Sequence, residues 1–142
     1  MEKLYGGQHL LFPFQSIGIH GIVEKAVLFI PTGAENEYNV SFGDLDYDRE
    51  LLDDEAVTNN GDTDRVLHDV GKIVLQFLRE NPDAIITATG STPSRNRLYR
   101  RAISKLLEEF GKVCRIDGLK SDGWIIFNSN EDFLAFIIRR AE

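Results

Sequence analysis

Apolar and polar positions change their period along this chain, and the changes mark its elements. Residues 8–18, "QHLLFPFQSIG", form a mostly apolar run broken by Pro13, which predicts a strand at a sheet edge or one carrying a bulge. After the turn residues His20 and Gly21, "IVEKAVLFIP" predicts a second strand, closed by Pro31, Thr32 and Gly33. "EYNVSFGDLD" alternates strictly, with Tyr38, Val40 and Phe42 on one face and Asn39 and Ser41 on the other. The same parity carries Asp44 and Asp46 onto the apolar face. Short turns between the three runs predict an antiparallel meander.

The period then becomes helical. Val66, Leu67, Val70, Ile73, Val74, Phe77 and Leu78 recur on one face of a helix that Asp62 or Thr63 caps and Asn81-Pro82 ends. "AIITATG" reads as a short buried strand, followed by a second helix from Pro93 to about Phe110 that Gly111 stops. "VCRIDGL" and "GWIIFN" are two further strand-like runs. Phe133, Leu134, Phe136, Ile137 and Ile138 then predict a last helix, with Ser129 or Asn130 at its cap and Ser129 with Asp132 resembling a capping box. The expectation is a single domain over 1–142, α+β (mixed α/β), with five or six strands and three helices. Three antiparallel strands, helix, strand, helix, strands and helix is the element order of the ribonuclease H-like fold, a likeness of topology that carries no activity by itself.

Composition adds class. The 142 residues are 42% hydrophobic and 27% charged, as in a folded globular domain. No apolar run approaches the ~20 residues of a membrane span, and the N-terminus lacks the pattern of a signal peptide. A lone Cys114 forms no internal disulfide, which fits a reducing cytoplasm. The net charge of −7 argues against non-specific coating of nucleic acid. That charge is segregated, however. Residues 43–64 hold nine acids against Arg49 alone, whereas residues 90–105 hold Arg95, Arg97, Arg100, Arg101 and Lys105 with no acid.

The basic segment holds the main candidate site. A strand runs through Gly90 into a helix that Ser91 or Thr92 caps and Pro93 begins. The first amides of such a helix and the positive end of its dipole favour an anion. At 100° per residue, Leu98, Ala102, Ile103, Leu106, Leu107 and Phe110 form the apolar face. Arg97, Arg101 and Lys105 fall opposite on a solvated face, and Arg100 lies at the border. Arg95 and Tyr99, four apart, project on the apolar side. An inward guanidinium must meet a carboxylate, a phosphate or an aromatic ring. Arg95 is therefore either half of an internal ion pair with Asp44 or Asp46, or a ligand-binding residue in a polar cluster with Asp44, Asp46, Thr89, Ser91 and Tyr99.

Other chemistries find no support. There is no Walker loop and no Gly-x-Gly-x-x-Gly. His9, His20 and His68 lack the spacing of a zinc site, and the acidic run lacks the pattern of an EF-hand loop, so no metal or cofactor is expected. Cys114 sits in an apolar strand pattern and reads as core. Asp62 and Asp64 are explained by capping and the helix dipole, while Arg65, badly placed for that dipole, hints at a specific partner.

Together "TNNGDTDRVL" (58–67) and "ATGSTPSRNRLYRRAI" (88–103) resemble an uncharacterised family of small bacterial proteins, a domain of unknown function, across most of the chain. The resemblance implies Gly90, Ser91, Thr92, Arg95, Arg97, Leu98, Tyr99 and Arg100 as signature positions and brings no activity. Three functions stay open. The first is a binding module for a phosphate-bearing ligand, nucleotide or nucleic acid, held by Gly90, Ser91, Thr92, Arg95, Arg97, Tyr99 and Arg100. The second is a toxin-like enzyme on nucleotide or nucleic acid, with Asp44 or Asp46 as general base and Arg95 stabilising charge. The third is an interaction domain whose basic helix docks on an acidic protein partner, or on the 43–64 segment of another copy in a homodimer.

Overall fold

Alternation in the first third produces long strands, and two helical periods produce the layer that covers them. The computed structural model describes residues 3–5, 9–46, 51–53, 61–90 and 92–141, with backbone alone at 3–5, 9, 46, 51–53 and 112. The elements run β1 (Lys3–Tyr5), β2 (His9–Gly18), β3 (Gly21–Pro31), β4 (Glu37–Asp46), β5 (Leu51–Asp53), α1 (Thr63–Glu80), β6 (Ile85–Ala88) and α2 (Pro93–Phe110). A 3-10 turn over Gly111–Val113 leads to β7 (Cys114–Lys120), β8 (Gly123–Ile126) and β9 (Phe136–Arg140). The fold is α+β, with one mixed sheet ordered β1-β2-β3-β4-β6-β9-β7-β8 and β5 paired to β4 beside that path. Seven strands span four residues or more, and β1 and β5 span three. Among the described residues no helix is long and apolar enough to cross a membrane.

The meander forms as expected. β2, β3 and β4 pair antiparallel, with Val27 opposite Phe42 and Phe29 opposite Val40. Among the described residues β1 covers only His9 to Leu11 of β2, so no described strand pairs with this edge at Pro13, where a missing N–H costs least. Every described strand pair is antiparallel except β4–β6, where Glu37, Tyr38 and Asn39 run parallel to Ile85, Ile86 and Thr87. Alternate residues of β3, β4, β6, β9 and β7 join α1 and α2 in one core on a single face of the sheet. Phe77 of α1 stacks on Phe29 at 4.0 Å and meets Tyr38 edge-on. On the other face Leu11, Ala26, Leu28 and Leu45 form a smaller buried cluster.

The expected third helix is the strand β9. It lies between β6 and β7 and pairs antiparallel with both, burying Phe136 and Ile138 on the helix side. Ile137 and Arg139 face the other way and stay partly exposed. A period of two therefore overrides the helical reading, because an interior sheet position satisfies the backbone of this β-branched run on both sides. The residues taken for a capping box form a turn instead, in which Asn128 accepts from the Asn130 N–H and donates to Glu131. The ring of Phe133 then lies flat on β7, where a Cβ at Gly118 would fall 2.3 Å from it. Among the described residues two helices stand where three were expected, and β9 takes the place of the third, so the ribonuclease H-like order is not what the elements follow.

Cys114 is core, as its pattern indicates, and burial pushes its thiol from 9.0 up to about 11. A thiolate is thus disfavoured more in the fold than in the unfolded chain. The resulting stability is fully present below pH 9.0 and is lost as pH rises through about 11. Melting temperature should fall more steeply over that interval in the parent than in Cys114→Ala, and equal slopes would refute the assignment.

Candidate functional site

The candidate site lies at a seam in the sheet. The edge of β4 pairs with β6 over Glu37 to Asn39 and with β5 over Asp44 to Asp46. Phe42 lies in the gap between these pairings, and Arg95 takes its carbonyl. The guanidinium Nη2 donates to Phe42 O at 2.7 Å and lies 3.5 Å from the Tyr99 hydroxyl. Its Cζ stands 5.2 Å from the ring centres of both Phe42 and Tyr99, which themselves meet at 5.4 Å. Arg95 is 4% exposed. The expected inward turn of this side chain is what the structure has.

The expected ion pair to Asp44 is absent, since that carboxylate goes to Lys25. Among the described residues no carboxylate pairs with Arg95, and its Nε and Nη1 are buried without a hydrogen-bond partner. Two desolvated cation–π contacts contribute about 2 kcal/mol each. One charge-assisted hydrogen bond adds roughly 1.5–3 kcal/mol. Together these are of the same order as the several kcal/mol that burying a cation costs, yet two strong donors stay unused.

Local sequence explains how Arg95 is held. Thr92 is the N-cap in extended conformation, its Oγ1 accepting from the Arg95 N–H at 3.2 Å, and Pro93 opens the helix. The Gly90 N–H donates to Asn96 Oδ1 at 2.7 Å, so this amide serves the fold. A Cβ at Gly90 would lie 2.5 Å from Asn96 N and 2.6 Å from Arg95 Cβ. The glycine therefore lets the first turn of α2 press against the strand end. Ser91 lies outside the described residues, as does the side chain of Asp46.

Among the described residues three of the four buried polar ones gather at this end of the sheet: Ser16, Lys25 and Arg95. Lys25, 1% exposed, donates through Nζ to Asp44 Oδ1 at 2.6 Å across the β3–β4 pair. Asp44 thus sits on the core face, as parity predicts, with a partner that sequence reasoning missed. The signal was present, since Val23, Lys25, Val27 and Phe29 share one parity. Asp62 is the N-cap residue of α1 but makes no side-chain cap. Its carboxylate instead accepts from Ser16 Oγ at 2.7 Å and from the Ile17 N–H at 3.2 Å. That ties α1 to the tip of the β2–β3 hairpin.

The remaining basic residues divide. Arg97 and Arg101 are exposed on the outer face of α2, where Arg97 Nη2 donates to Ser94 Oγ at 3.1 Å. Arg100 pairs with Asp132 and donates to the Glu131 carbonyl at 3.3 Å, fastening the loop before β9. Nearby, hydrogen bonds from Asn128 and Lys120 and the Lys120 charge hold the Glu131 carboxyl below its usual range. Arg65 pairs within its own helix with Asp69 at 3.5 Å, which accounts for it without an outside partner.

Beside the Arg95 sandwich, Phe42 and Tyr99 also line a small apolar cavity of about 30 Å³ between the helices and the sheet. A roomier concavity of about 480 Å³ lies at the opposite end, among Pro82 to Ile85 and Arg139 to Ala141. There the Arg139 guanidinium faces Asp117 at 3.9 Å, and Arg115 faces the same carboxylate at 3.8 Å. The seam, with no described acid on its arginine, is the better place for an anion.

No curated protein and no solved structure matches the chain. One protein-family profile does, over residues 4–141, and it shows that the chain belongs to DUF6934, a family of unknown function.

Proposed function

We propose that this chain is a binding module for a phosphate-bearing anion, taken where β6 hands over to α2, with Arg95 as the counter-charge. The observation that carries the reading is a guanidinium, 4% exposed, that keeps two unpaired nitrogens and faces no described carboxylate. Such a group gains most from an incoming anion, which supplies both acceptors and opposite charge. The start of α2 adds its dipole, and Arg97 and Arg101 offer an exposed strip for further phosphates of a nucleotide or nucleic acid. Asp44 is already engaged by Lys25, which favours a binding role over the general-base role of an enzyme.

Thermal melting tests this with inorganic phosphate, nucleoside triphosphates and a short single-stranded oligonucleotide as probes. A probe at about one hundred times its Kd should raise Tm by roughly 8 °C. Arg95→Lys keeps the charge but loses the planar fork, and should fold and lose most of that rise. A second reading, favoured by the Phe42 carbonyl and the two flanking rings, makes Arg95 a purely structural pin. A parent protein that responds to none of the probes, while Arg95→Ala simply melts early, would select the pin and discard the binding site.

A further inference from the structure

We infer that β8 is a dimerisation edge, and that its occupant is β8 of a second copy of this chain. β8 ends the sheet, with β7 on one side and no described strand on the other. Its three non-glycine residues are all apolar and exposed: Trp124 at 47%, Ile125 at 40% and Ile126 at 74%. Natural edges are usually protected by lysine, proline, a bulge or a covering segment. "GWII" has no charge and no proline.

The hydrogen-bonding parity identifies what the edge offers. Phe127 N–H donates to Ile116 O at 3.0 Å, so Phe127 and, two before it, Ile125 aim their backbone groups at β7. Trp124 and Ile126 therefore aim theirs at the open edge. An antiparallel second copy can set its Ile126 opposite Trp124, a register in which both residues are of the hydrogen-bonding kind. A two-fold axis through Ile125 makes this pair twice.

The side chains agree with that register. Trp124 and Ile126 share the sheet face away from the helices, because their partners Leu119 and Asp117 alternate with the core residue Ile116. Each Trp124 would thus lie across from an Ile126, an aromatic on a β-branched residue. Beyond the paired residues the same register sets Asp122 opposite Asn128, so no charge meets a like charge. A four-residue edge makes a small interface, which places the association at the weak end of the range.

Trp124 is the sole tryptophan, so its emission reports on this edge directly. Sedimentation of the full chain from low micromolar to near-millimolar concentration should show monomer passing to dimer, with a blue shift of the emission. Each copy carries −7, so added salt should tighten this apolar pairing by screening repulsion. Ile126→Lys and Ile126→Pro should each raise the dimer Kd at least about tenfold with Tm unchanged, because the side chain is exposed and its N–H faces outward. A parent that stays monomeric throughout overturns the inference. So does a dimer indifferent to both variants, or one that salt dissolves, which would point to the basic helix docking on the acidic segment.

Discussion

Asp44→Asn will cost the fold about 3–5 kcal/mol, and Lys25→Met will cost far less. The asymmetry follows from where the two charges lie. The Lys25 side chain is 2% exposed and that of Asp44 is 21% exposed. Removing the carboxylate charge strands an ammonium in the core, where water cannot reach it. Lys25→Met removes the buried charge itself with little change of shape, and leaves Asp44 in reach of solvent. Combining the two should restore much of the loss, since the pair is then replaced as a unit. Urea unfolding of the three variants measures this. An Asp44→Asn protein no less stable than Lys25→Met would show that the pair is not the buried contact described.

Gly90→Ala will strongly destabilise the junction between β6 and α2. The added carbon would sit 2.5 Å from Asn96 N and 2.7 Å from the Arg95 carbonyl carbon, and these backbone atoms cannot rotate away. Relief requires the first turn of α2 to lift, breaking the Gly90–Asn96 hydrogen bond and moving Arg95 off Phe42. The expected cost is about 3 kcal/mol, at the upper end for overpacking. Any anion-dependent stabilisation should vanish with it. Gly33→Ala is the control, since a Cβ there meets nothing within 4 Å and only its positive φ is strained. Equal melting temperatures for the two variants would refute the close approach.

Both helices were legible because their apolar residues repeat over five turns. Thr92-Pro93 marks the start of α2, and Asn81-Pro82 the end of α1. The meander was legible from strict alternation in β4, and its parity correctly placed Asp44 on the core face. β9 was misread for a physical reason. Phe133, Leu134, Phe136, Ile137 and Ile138 fit three and a half residues per turn about as well as two, and only pairing with β6 and β7 decides between them. The inward turn of Arg95 could be read from its spacing to Tyr99. Its partners could not, because they depend on where β4 leaves β6, a property of register between distant segments. Lys25 was overlooked for want of the β3–β4 register, although its parity with Val27 pointed inward.

The position of β9 has a consequence for biosynthesis. It is the last described strand to be made, yet it sits inside the sheet, flanked by β6 and β7. As the chain emerges, the meander can close from neighbours in sequence, whereas β6 and β7 must wait with open flanks until residues 136–140 arrive. Until then the sheet is incomplete along both of those flanks. Acquisition of the native state is gated by the late insertion of one five-residue keystone.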